Sequence, residues 1–175
     1  MSGLPQVHPA GKPAHSPPDA RHQSITVNHR LTVFIEQPPE FVRKLYPSAV
    51  WRMDPDERAV YLTFDDGPIP EVTPWVLDLL DKYDIKATFF MVGDNIRKHP
   101  DEFQMVVERG HRIGNHTFNH LRGFEYNFKD YLANAEKANE VMKTDLFRPP
   151  HGHMGWTQYM ICLLYTSPSP RDAHE

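Results

Sequence analysis

Between Ala59 and Phe147, short apolar runs alternate with stretches whose apolar residues recur every three or four positions. That alternation admits few folds. Ala59-Val-Tyr-Leu-Thr-Phe64 and Ala87-Thr-Phe-Phe-Met-Val92 are apolar and β-branched, the composition of buried strands. Between them, Glu71 to Tyr83 sets Val72, Val76, Leu79, Leu80 and Tyr83 at helical spacing, with Pro70 and Pro74 near the first turn, where a missing N–H does little harm. Asp101 to Arg109 is a second helix with Phe103, Val106 and Val107 inward, and Gly110 stands where a helix stop belongs. Arg112-Ile113 opens a third strand. Tyr131, Leu132, Ala135, Ala138, Val141 and Met142 mark a third helix, and Leu146-Phe147 opens a fourth strand. Strand and helix in this order predict an α/β fold with a parallel sheet and right-handed crossovers. Trp75 and Phe89-Phe90 read as core.

Three polar clusters follow three of the strands: Thr63-Phe-Asp-Asp-Gly-Pro68, His116-Thr-Phe-Asn-His120 and Arg148-Pro-Pro-His-Gly152. Adjacent carboxylates at a strand end repel one another, and a divalent cation relieves that repulsion. Two His four apart are read as one face of a helical turn, within reach of one ion. In parallel α/β folds the carboxyl ends of the strands gather on one face, where chemistry is built. One Asp and two His leave open positions for water, the pattern of a catalytic zinc site. The second Asp is then free to act as a base, and the Arg can hold it ionised and oriented.

Composition narrows the rest. A net charge of −4 argues against nucleic acid as a partner. No stretch approaches the roughly 20 apolar residues of a membrane span. The single Cys excludes both a disulfide framework and a Cys-rich zinc site, so a metal must be held by His and carboxylates. Residues 1–30, rich in Pro and His, read as a disordered leader. Cys162-Leu-Leu-Tyr-Thr-Ser-Pro-Ser-Pro-Arg-Asp172 resembles an in-frame translation of a sequencing-library adapter. Residues 162–175 are therefore expected to be an artefactual tail, and 31–161 the folded domain.

The motifs TFDDGP, HTFNH and RPPHG, in that order, resemble the polysaccharide deacetylase (NodB-homology) family of carbohydrate esterases, over about Phe34 to Ile161. Val72–Lys98 and Phe34-Ile-Glu-Gln-Pro-Pro39 look most like its bacterial branch. The resemblance implies a distorted (β/α) barrel. It also implies that Asp65 is the catalytic base, that Asp66, His116 and His120 bind the metal, and that Arg148 pairs with the base. His151 stands where the family usually has Tyr and would offer its backbone N–H to the oxyanion. The implied cofactor is a divalent ion, Zn2+ or alternatively Co2+, Ni2+ or Mn2+. The implied substrate is an N-acetylated glycan such as peptidoglycan or chitin. The family's later general-acid His and supporting Asp motif have no counterpart after Arg148, and a closed barrel takes about 200–250 residues. Residues 31–161 are thus expected to be an incomplete barrel lacking its last strands, unstable or nearly inactive.

Two alternatives stay open: a hydrolase of another amide or ester on the same fold, and a non-catalytic glycan-binding fragment. The sequence sets no oligomeric state. No signal peptide is visible, which reads as cytoplasmic by default, although the implied polymers lie in the cell envelope or outside the cell.

Overall fold

The structure is a computed structural model that describes residues 39–53, 56 and 58–166. The leader assigned to residues 1–30 and the tail beyond Thr166 lie outside the described residues. The elements are α1 (Glu40–Leu45), β1 (Thr63–Asp65), α2 (Val72–Lys82), β2 (Thr88–Met91), α3 (Gly93–Lys98), α4 (Pro100–Glu108), β3 (Arg112–Asn115), α5 (Phe128–Met142) and α6 (Trp156–Thr166). Single 3-10 turns occur at Gly123–Glu125 and Pro150–Gly152.

The strands form a parallel sheet in the order β1-β2-β3, with Phe64 opposite Phe89 and Phe89 opposite Ile113. The expected fourth strand is reduced to one parallel bridge between Asn115 and Phe147. The described residues thus make an open α/β sheet, part of the barrel architecture rather than a closed one. Among them no helix is long and apolar enough to cross a membrane.

β2 is the central strand, and its Phe89, Phe90 and Met91 are all buried. Leu77 and Leu80 from α2, Ile96 from α3, Val106 from α4, and Ala138 and Met142 from α5 close over it as one core, joined by Phe118 from the loop after β3. α5 begins at Asn127, whose side chain accepts the Asp130 N–H at 3.1 Å. α4 ends before Gly110, whose φ of 72° is the left-handed stop the sequence predicts.

Several sequence readings shift. β1 occupies Thr63–Asp65 rather than Ala59–Phe64. Its partner β2 begins at Thr88, four residues after the left-handed turn at Asp84, so Val60 and Tyr61 have no ladder to join and are exposed. α2 buries Thr73, Leu77 and Leu80, leaving Val72, Trp75, Leu79 and Tyr83 exposed; Trp75 is not core. Val107 on α4 also faces outward. Helices α1, α3 and α6 were not foreseen, and α6 runs without a break across the assigned 161/162 boundary.

Candidate functional site

The three polar clusters meet at the carboxyl ends of the strands. Asp65 is the last residue of β1, and Asp66 turns out of it in a left-handed conformation, φ 73°. That turn is anchored at both of its backbone polar groups: the Asp66 N–H donates to Phe90 O at 3.1 Å, and Asn95 Nδ2 donates to Asp66 O at 2.7 Å. The two neighbouring carboxylates are thereby sent to different partners, which is how the fold accommodates adjacent like charges.

Asp65 faces Arg148. Arg148 Nη1 donates to Asp65 Oδ1 at 2.6 Å and to Thr63 Oγ1 at 3.0 Å. The guanidinium lies over the Phe90 ring, 4.0 Å from its centroid. A planar cation held by an acceptor pair and a ring face has little freedom, and the Asp65 oxygen it holds is correspondingly fixed. Phe90 can lie there because residue 114 is Gly: a Cβ at that position would collide with the Phe90 ring. Gly114→Ala is therefore expected to cost about 1–3 kcal/mol of folding stability. It should also displace the ring from beneath Arg148, measurable as a lower denaturant midpoint with reduced activity in the folded chain.

Asp66 faces the two imidazoles. Its Oδ1 is 3.5 Å from His116 Nε2 and 3.0 Å from His120 Nε2, and the ring centroids are 5.1 Å apart. One ligand atom from each residue lies within 4.8 Å of the other two, close enough for all three to share one ion. The histidines do not meet on a helical turn as the sequence reading had it. They flank a loop with left-handed residues at Thr117 (φ 65°) and His120 (φ 55°). Partners from other elements hold that shape: Gly93 N–H donates to Thr117 O at 3.0 Å, and Phe118 N–H to Asn134 Oδ1 at 2.8 Å.

His116 decides what the cluster can hold. It is 3% exposed, and its Nδ1 lies 2.7 Å from the carbonyl oxygen of Arg148. A carbonyl only accepts, so Nδ1 carries the ring proton and Nε2 presents a lone pair. That lone pair confronts an Asp66 oxygen, also an acceptor. Protonating Nε2 would resolve the clash, but burial holds the His116 pKa below its ordinary value, the Arg148 carbonyl and the nearby carboxylates opposing that only in part. A cation between the two atoms resolves it directly. Two imidazoles and one carboxylate are the donor set that suits zinc and its neighbours, so the residues fit such an ion.

His151 sits at the same mouth, its ring centroid 4.7 Å from that of His120, in a left-handed conformation with φ 57°. Beside the cluster a cleft of about 310 Å³ is lined by Asp66, Val92, Asp94, Asn95, Asn119 and His120. The structure thus brings Asp65, Asp66, His116, His120, Arg148 and His151 to one place. Sequence reasoning missed Thr63, Phe90, Asn95 and Asn134, which hold the chemical groups. None of them carries a signal of spacing, and only Thr63 lies within a motif.

The family model described as Polysaccharide deacetylase matches residues 52–161, starting later than the Phe34 of the sequence reading. A peptidoglycan-N-acetylglucosamine deacetylase of Bacillus cereus is 40% identical over 109 residues, 59% of this chain and 51% of that protein. A chitooligosaccharide deacetylase of Rhizobium leguminosarum bv. trifolii is 46% identical over 65 residues, 37% of this chain and 30% of that protein. Among solved structures, the peptidoglycan deacetylase PdaC from Bacillus subtilis superposes with a TM-score of 0.58 at 29% identity, covering 63% of this chain and 57% of that one. The chain spans about half the length, or less, of these curated relatives.

Proposed function

Because the chain belongs to the polysaccharide deacetylase family, we propose that it carries the catalytic face of a metal-dependent hydrolase that removes N-acetyl groups from a glycan of peptidoglycan or chitin type. The observation that carries this reading is the confrontation of the His116 Nε2 lone pair with Asp66 Oδ1 at 3.5 Å, beside His120 Nε2 at 3.0 Å. Asp66, His116 and His120 would hold the cation, with zinc the favoured ion and cobalt, nickel or manganese acceptable. When bound, such an ion supplies Lewis acidity, polarising an amide carbonyl and making water a competent nucleophile near neutral pH.

The chain's own residues do the rest. Asp65 takes the proton of the attacking water at its carboxylate. Arg148, 2.6 Å from Asp65 Oδ1, holds that carboxylate in place and aims it. The backbone N–H of His151 donates to the oxyanion that develops on the amide oxygen. Acetate is released and the sugar amine remains. The departing amine takes up a proton, and the proton that Asp65 has taken from water balances that uptake. Polymers of this kind lie in the cell envelope or outside the cell, and the activity would be exerted in one of those places.

The test is acetate release from N-acetylglucosamine oligomers and from peptidoglycan. Release that stops on chelation and returns with added Zn2+ or Co2+ is expected. Release unaffected by thorough chelation would overturn the metal-dependent reading.

A further inference from the structure

The loop that carries both imidazoles is held by a side chain outside every motif. Its backbone N–H groups can be followed one by one. Asn115 N–H donates to Leu146 O at 2.8 Å and His116 N–H to Met91 O at 2.9 Å. Thr117 N–H donates to Asn115 Oδ1 at 2.8 Å. Phe118 N–H and Asn119 N–H, at 2.8 and 3.0 Å, both donate to one atom, Oδ1 of Asn134. Asn134 belongs to α5, and its amide is oriented by its other end: Nδ2 donates to Asn119 Oδ1 at 2.8 Å. Three contacts therefore fix which end of the Asn134 amide is oxygen.

The loop needs such a hold. Thr117 and His120 both have positive φ, Thr117 being β-branched, and a non-glycine residue held there is strained. Such a conformation persists only where the surroundings over-determine it. On the carbonyl side the start of α3 does so: Gly93 N–H donates to Thr117 O at 3.0 Å and Asp94 N–H to Phe118 O at 2.9 Å. On the N–H side, Asn134 alone among the described residues accepts from the Phe118 and Asn119 N–H groups. Its platform is firm. Tyr131, Ala135 and Ala138 of α5 are buried, Ala135 O accepts from Asn115 Nδ2 at 2.8 Å, and Lys137 Nζ lies 3.8 Å from the Phe118 ring centroid.

We propose that Asn134 is a positioning residue for the metal site: by accepting from Phe118 and Asn119 it fixes the backbone between His116 and His120 so that both Nε2 atoms face one Asp66 oxygen. This rests on the metal-binding reading above. It acts through the loop and touches neither cation nor substrate.

The test is a Co2+ titration of the full chain followed by visible absorption, with amide hydrogen exchange read at Phe118 and Asn119. Asn134→Ala is expected to bind Co2+ about 10–100-fold more weakly, the usual effect of removing an outer support of a metal site. It should also speed exchange at those two amides. Asn134→Asp keeps an acceptor for both N–H groups and is expected to restore tight binding. Asn134→Leu, which keeps the branched outline and drops the hydrogen bonds, carries the alanine expectation should that variant fail to fold. Wild-type uptake with equally tight binding in Asn134→Ala or Asn134→Leu overturns the inference, as does a failure of Asn134→Asp to rescue. A wild-type chain that takes up no Co2+ overturns the metal reading itself.

Discussion

Asp65→Asn is expected to retain its bound metal while losing acetate release by about 10²–10⁴-fold in kcat, the range for removing a positioned general base. The expectation comes from where the carboxylate points. Asp65 is committed to Arg148 at 2.6 Å, whereas the ligand atoms that converge belong to Asp66, His116 and His120. An asparagine keeps the shape and still accepts from Arg148 through its amide oxygen, so the fold and the neighbouring site should persist. What it cannot do is take a proton from water. Loss of metal together with activity would instead make Asp65 a ligand, and the assignment of the adjacent pair would have to be reversed.

His120→Ala carries the second large effect. Its side chain is 31% exposed, so its removal leaves the core untouched, unlike His116, which is almost fully buried and donates to the Arg148 carbonyl. With one imidazole gone, two donors remain, too few for a tightly held zinc. Bound zinc should fall to the level of the chelator-treated wild type, and acetate release should become undetectable at an unchanged unfolding temperature of the metal-free protein. Equal, near-zero zinc in wild type and variant would favour a glycan-binding chain without metal chemistry.

The placement of the site was legible because it follows from topology. Once the runs at Phe64, Ile113 and Phe147 are read as strands of a parallel sheet, the residues that follow them must share one face, and Asp65, His116 and Arg148 do. The local geometry was not legible. Nothing in His-Thr-Phe-Asn-His distinguishes a helical turn from a loop with two left-handed residues; the choice is made by Asn134, fourteen positions beyond the last of them, and by the N-terminal amides of α3. α3 escaped notice because Gly-Asp-Asn-Ile-Arg-Lys has one apolar side chain and no period to detect. Along α2 both Thr73-Leu77-Leu80 and Val72-Trp75-Leu79 form stripes at helical spacing. Periodicity cannot say which faces inward, and the sheet selects the first.

The most direct test is anomalous diffraction from a zinc-loaded crystal of the protein. A single peak is expected at about 2.0–2.2 Å from the Asp66 carboxylate oxygen and from Nε2 of both His116 and His120, with the Asp65 carboxylate still on Arg148. A peak ligated by Asp65, or one that engages fewer than both imidazoles, would contradict it.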